Sequence, residues 1–265
     1  MNPTIQQGLT IVDTHVHIYD CFDVATLLDS AHDHFSSEAR RHEGGGFVGV
    51  LILTETSRHD WFGRLPTYAG ANGWRFSPTA ENCSLLARAD DGRELVLIAG
   101  RQIVSRENLE VLALGTRTDF RDGTPINELI VAIHEREAIA VLPWGVGKWI
   151  GKRGAIVRSL LTGADRPPFL LGDNGGRPVF WPRPALFEMA DRHGIRVLPG
   201  TDPLPLPAEE SRCGSFGCVL PGELSLDRPG SDIKRLINDG RTEIRPYGRL
   251  EGPLRFMRKQ LQIRK

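Results

Sequence analysis

PALFEMADRHGIRVLPGTD, Pro184 to Asp202, is the stretch whose reading decides the fold. Pro184 presets the first turn of a helix, Gly194 supplies its C-terminal stop, and IRVLPGTD continues as a strand ending at Asp202. A helix running directly into a buried strand is half of a repeating strand-and-helix unit. Upstream, PFLLGDN (Pro168 to Asn174) reads as another strand, preceded by a short helix from Ala155 to Leu161. IAVLPWG (Ile139 to Gly145) is a third, and its helix starts at Pro125 and repeats Ile126, Leu129, Ile130 and Ile133 at helical spacing through Glu137. Further back lie LEVLALG (Leu109 to Gly115) and ELVLIAGRQIV (Glu94 to Val104), the latter with a bend or bulge at Gly100. FVGVLILT (Phe47 to Thr54) is apolar on both faces, as a covered parallel strand must be. The chain opens with IVDTHVHIYD (Ile11 to Asp20) and a helix from Val24 to Arg41, capped by Asp23 and stopped by Gly44 to Gly46.

Strands alternating with helices over about 200 residues predict an α/β barrel or sheet rather than a sandwich. A single domain over residues 1–265 is expected, with an irregular insertion at about 55–92 and a helical extension at about 220–265. The stretch from Glu55 to Thr79 holds Trp61, Tyr68 and Trp74 without periodicity, and reads as a lid or binding loop.

The composition narrows the partners. With 33 basic and 33 acidic residues among 265, no global field draws nucleic acid or an anionic membrane, so neither is expected as a partner. The basic tail RFMRKQLQIRK reads as a solvated helix. No run approaches the roughly 18 apolar residues of a membrane span, and MNPTIQQGLT lacks a signal peptide's charged and apolar regions, so a cytoplasmic protein is expected. Cys21, Cys83, Cys213 and Cys218 are too scattered for a disulfide framework and read as free thiols. Oligomeric state is not legible.

Strand alternation places Ile11, Asp13, His15 and His17 on one face, with the two imidazoles about 7 Å apart. Two neutral imidazoles on a rigid strand supply adjacent corners of a metal site. In a parallel barrel the reactive groups stand at the C-terminal ends of the strands. That rule selects His15, His17, Glu55, Gln102, Trp144, Asp173, Asn174 and Asp202, of which His15, His17, Glu55, Asp173 and Asp202 have metal-binding chemistry. Two histidines with carboxylates suit zinc, manganese or iron. GVGKWIGKRG (Gly145 to Gly154) brings Lys148, Lys152 and Arg153 to the same mouth on glycine-rich backbone suited to an anion, with Arg101 and Arg58 as further cations. His59 could add a ligand from its loop. The remaining histidines lie on helices or their ends.

DTHVH, LTET after the second strand, IAGRQIV with LEVLALGT, a helix leading into AVLPW, and HGIRVLPGTDP come in an order that resembles the polymerase and histidinol phosphatase (PHP) family. The resemblance runs from about residue 10 to residue 210. It implies a distorted TIM-like (β/α)7 barrel that binds up to three metal ions and hydrolyses phosphate esters. Of the family's ligands, His15 and His17 match its H-x-H, and Asp202 matches the aspartate of its closing motif. Glu55 stands where it has aspartate, Thr56 where it has histidine, Gln102 where it has a bridging glutamate, and Trp144 and Pro203 depart from two further motifs.

What remains suits one divalent ion, not three. The expectation is a metal-dependent phosphoesterase with His15, His17, Glu55 and Asp202 as ligands. Glu55 and Asp202 are its candidate catalytic carboxylates, and Arg101, Gln102, Lys148 and Lys152 bind a small anionic substrate. Two alternatives stay open: an inactive barrel that binds a ligand or partner, and an amidohydrolase-like C–N hydrolase, a group that also opens with D-x-H-x-H.

Overall fold

The computed structural model describes residues 8–42, 46–222 and 224–263, the last without its side chain. The start of MNPTIQQGLT, read above for a targeting signal, and Gly44 and Gly45, read as a helix stop, lie outside the described residues. Eleven strands form one sheet among the described residues. Its backbone is parallel: β1 (Leu9–Val16), β2 (Phe47–Glu55) and β5 (Glu94–Val104) on one side, and β7 (Ile139–Pro143), β8 (Leu170–Asn174) and β9 (Val197–Gly200) on the other. Between them β6 (Glu110–Leu114) runs antiparallel to both β5 and β7. This reversal distorts the barrel from a strict strand–helix repeat.

The ring nearly closes where the end of β9 meets β1. Thr14 Oγ1 donates to Pro199 O at 3.0 Å, and the Asp202 backbone N–H donates to His15 O at 2.8 Å. Gly200 makes that approach possible. A Cβ there would lie 2.5 Å from both the Cβ and the backbone nitrogen of His15, closer than side chains pack.

Helices α1 (Val24–Ala39), α3 (Ile126–Glu135), α4 (Lys152–Thr162) and α5 (Ala185–Arg192) follow their strands as the hydrophobic spacing predicts. Leu51 and Leu53 join Leu27, Leu28 and Phe35 of α1 in one buried cluster. Their neighbours Val50 and Ile52 join Val12, Val96, Ile98 and Leu112 in another, on the opposite face of the sheet. A strand buried on both faces is the reason FVGVLILT carries no polar alternation. No helix among the described residues is long and apolar enough to cross a membrane.

Two regions differ from the sequence reading. The insertion is organised: α2 (Trp61–Arg64) leads to β3 (Trp74–Pro78), which forms a hairpin with β4 (Ser84–Ala89), and β4 pairs with the first half of β5. Trp61, Phe62, Leu65 and Trp74 are buried in the α1 cluster, so this segment is wall, not an open lid. Single aromatic anchors leave no periodicity to read. The C-terminal extension is only partly helical. Strand β10 (Phe216–Pro221) pairs antiparallel with β1, and β11 (Arg245–Gly248) pairs with β10, around α6 (Pro229–Asn238) and before α7 (Pro253–Ile263). β11 (RPYG) is half glycine and proline, which reads as turn, and β10 (FGCVLP) is a short run broken by Gly217 and ended by Pro221. The basic tail is not simply solvated: Lys259 of α7 is buried between Glu209 and Glu251.

Candidate metal centre

Asp13 anchors the floor of the site. It is buried, and its carboxylate accepts four hydrogen bonds: from the backbone N–H groups of His15, Thr201 and Gly214 at 3.3, 2.9 and 2.9 Å, and from the Thr201 hydroxyl. One side chain thereby ties together β1, the end of β9 and the turn that precedes β10. Burial pushes its pKa up to about 6, against these bonds, which favour the charged form.

Beyond Asp13 the pairing of β1 with β2 shifts register between Asp13 and Val16, the kind of irregularity that re-aims side chains beside sites. The His15 and His17 rings converge, with their Nε2 atoms 3.1 Å apart. Asp202 comes from the opposite side of the seam, and its Oδ1 lies 3.5 Å from each of those nitrogens. Its φ is 47°, a left-handed conformation that aspartate tolerates better than most residues and that is held here by the Asp202–His15 backbone bond. Asn174 Nδ2, at the end of β8, donates to Asp202 Oδ2 and leaves Oδ1 toward the imidazoles.

This triangle fits a metal ion. Ligand distances of about 2.0–2.2 Å in tetrahedral geometry place donor atoms about 3.3 Å apart, and here the edges are 3.1, 3.5 and 3.5 Å. The donor set is two nitrogens and one oxygen, with the fourth position left for water or substrate. Electrostatics agree. Burial pulls the His15 pKa down to about 4, so its imidazole is neutral and available as a ligand at pH 7. Burial opposes ionisation of Asp202, but His15, His17 and Lys148 outweigh it and hold the carboxyl well below the usual range. The Gln102 side chain stands close enough to His15 to favour its charged form against burial, and the Tyr19 ring lies 5.6 Å from the His17 ring.

The other sequence candidates fall elsewhere. Among the described residues the cluster holds His15, His17 and Asp202, without Glu55. Both Glu55 oxygens are engaged: Oε1 by the backbone N–H groups of Trp61 and Phe62, the second at 3.1 Å, and Oε2 by Arg101 at 3.4 Å. Burial raises the Glu55 pKa. Arg101 Nε lies 3.0 Å from Asp119 Oδ1 and has no hydrogen-bond partner among the described residues. Asp173 forms a two-pronged pair with Arg177 at 2.9 and 2.7 Å. Lys148 pairs with Glu110 and stands close enough to act on both His15 and Asp202, whereas Lys152 is exposed at the start of α4. His59 faces the Tyr19 ring at 5.9 Å and meets Thr56 at 2.9 Å. Asn174 stood among the strand-end residues with no role assigned. Its signal was position alone, since the aspartate it orients is 28 residues away.

A barrel with two buried histidines and a half-buried aspartate in a triangle at its mouth is the class that fold and site define. No protein-family model and no curated protein sequence matches the chain. Solved structures do share its fold. PsfC from Pseudomonas syringae PB-5123 aligns with a TM-score of 0.60 at 13% identity, over 97% of this chain and 98% of that one. The lesion-specific endonuclease Q from Pyrococcus furiosus aligns with a TM-score of 0.55 at 10% identity, over 89% of this chain and 57% of its own. An endonuclease Q bound to a 27-mer duplex with an abasic lesion at the active site aligns with a TM-score of 0.53 at 12% identity, over 89% and 58%. This chain thus spans somewhat over half the length of endonuclease Q.

The duplex complex overturns the expectation that nucleic acid is not a partner. That expectation rested on net charge, a whole-molecule sum. Phosphate contacts are local, and a balanced total leaves room for a basic mouth such as the one around Lys148, Lys152 and Arg153.

Proposed function

We propose that this chain is a metal-dependent hydrolase of phosphate esters with a single divalent ion held by His15, His17 and Asp202. The observation that carries this reading is the triangle of three donor atoms 3.1–3.5 Å apart, on two buried histidines and a half-buried aspartate, at the C-terminal mouth of the barrel. A divalent ion held by these three residues would supply Lewis-acid polarisation of a phosphoryl oxygen and would acidify a water. The protein's own groups do the rest. Asn174 holds the Asp202 carboxylate in its rotamer, and Asp13 keeps the two sides of the seam in register. Lys148 brings positive charge to the mouth, which favours an anionic substrate. Glu55 serves as a positioning residue for Arg101 and for the Trp61–Phe62 turn. The two endonucleases of the same fold support including phosphodiesters in the substrate class.

The test is metal content by mass spectrometry on chelator-free protein. It is paired with hydrolysis of p-nitrophenyl phosphate, bis(p-nitrophenyl) phosphate and a duplex carrying an abasic site. About one equivalent of metal and ester hydrolysis are expected, both absent from an H15A/H17A variant. Equal metal in that variant, or no metal in the parent after soaking, overturns the proposal.

A further inference from the structure

Three of the chain's five tryptophans border one cavity that the metal centre does not use. The cavity lies between the starts of α4 and α5, with a volume of about 430 Å³, within the range of small-molecule pockets. Trp144, Trp149 and Trp181 form its aromatic walls, and Arg158 is its cation. The walls are braced. Trp144 and Trp181 meet edge to face with centroids 6.1 Å apart, and Trp149 stands edge to face on the buried Phe187 at 5.6 Å. Gly154 lets α4 start close against the loop, because a Cβ there would lie 2.3 Å from the Trp149 carbonyl oxygen.

The same loop serves the metal centre. Lys148 folds back over Gly145, where an added Cβ would lie 2.5 Å from the lysine Cδ, and its ammonium acts on His15 and Asp202. Its neighbours on either side, Gly147 and Trp149, line the cavity. Whatever occupies the cavity therefore sits one loop away from the reacting centre.

An aromatic cavity accepts either an organic cation or a flat neutral ring. The charge around this one decides between them. Arg158 has no ion-pair partner among the described residues, and Lys152 and Arg153 open α4 beside the cavity, while Lys148 of the adjoining loop is paired with Glu110. A cationic ligand would meet like charge on that side, whereas a flat ring attached to an anionic group meets complementary charge. We propose that the Trp144–Trp149–Trp181 cavity binds the nucleobase of a nucleotide whose phosphoryl group reaches the metal centre. This deepens the phosphate-ester reading and rests on it for the position of the phosphate, while base binding is measurable without catalysis.

The experiment titrates intrinsic fluorescence of the metal-loaded protein with adenosine 5′-monophosphate, cytidine 5′-monophosphate and ribose 5-phosphate. Uncharged adenosine is added as a probe that needs no metal. Base stacking predicts that the nucleotides bind about 5- to 100-fold more tightly than ribose 5-phosphate. Trp181→Ala, at a half-buried position, is expected to abolish that preference while metal content stays at the parent level. Trp149→Leu serves as the second variant and should do the same. Equal affinity for ribose 5-phosphate and the nucleotides, or a preference retained in both folded variants, overturns the proposal. Adenosine binding that persists in Asp202→Ala after its metal is lost supports the cavity even where the hydrolase reading fails.

Discussion

Two strand-end carboxylates of this barrel, Asp202 after β9 and Glu55 at the end of β2, have nearly opposite circumstances. Asp202 has one oxygen held by Asn174 and the other turned to two imidazole nitrogens at 3.5 Å. Glu55 has two backbone N–H groups on one oxygen and a guanidinium on the other. The first presents an uncommitted lone pair to a site. The second spends its acceptor capacity on its own fold. What a carboxylate can ligate is decided by the donors already aimed at it, and strand position alone does not report them.

The contrast is open to direct attack. Asp202→Ala should drop metal content from about one equivalent to about none, because a two-ligand remnant binds divalent ions weakly. In Glu55→Ala metal content should stay at the parent level while stability falls by about 2–5 kcal/mol, since the buried N–H groups of Trp61 and Phe62 lose their acceptor and Arg101 keeps Asp119 and the His59 carbonyl. Urea melts with parallel metal analysis read both quantities, and metal loss in Glu55→Ala equal to that in Asp202→Ala would collapse the distinction. Asn174→Ala sharpens it from the other side. With the outer oxygen released, metal affinity should weaken about 10- to 100-fold, measurable by competition with a chromophoric chelator, while the fold stays intact.

A third carboxylate sets the scale for purely structural pairing. Glu209 meets Arg212 at 3.1 Å, Lys259 at 2.9 Å and Arg255 at 3.3 Å, and these partners outweigh burial and lower its pKa. A depressed folded-state pKa means that this stability is fully present above the unfolded value of about 4.3 and is lost as pH falls below it. The protection of α7 amides, taken relative to their intrinsic exchange rate at each pH, should therefore fall on acidification below about pH 4.3. Glu209→Gln should show faster exchange already at pH 7 and a flatter acid response. An unchanged α7 across that range would show that Glu209 does not hold the helix.

Much of the barrel was legible because strands covered on both faces, such as FVGVLILT, and proline-started helices, such as that after Pro184, carry their own local signals. The pairing of His15 with His17 was legible for the same reason, as a period of two on one strand. Strands β10 and β11 were not, since β10 is held by pairing with β1 and β11 by pairing with β10, contacts that no local pattern reports. The fate of Glu55 was hidden because its partners lie at positions 61, 62 and 101 and meet it only in the fold. Asp202 was legible as a residue but not as a conformation: its left-handed backbone is imposed by closure onto His15.

That closure joins two properties usually kept apart. The stitch that fastens the two edges of the wall runs from the Asp202 N–H to the His15 carbonyl, so it is sewn between two of the residues assigned to the ion. An ion held there would span the same two residues that this backbone bond already joins, so removing it should loosen the seam without opening it, the bonds of Thr14 and Asp13 staying in place.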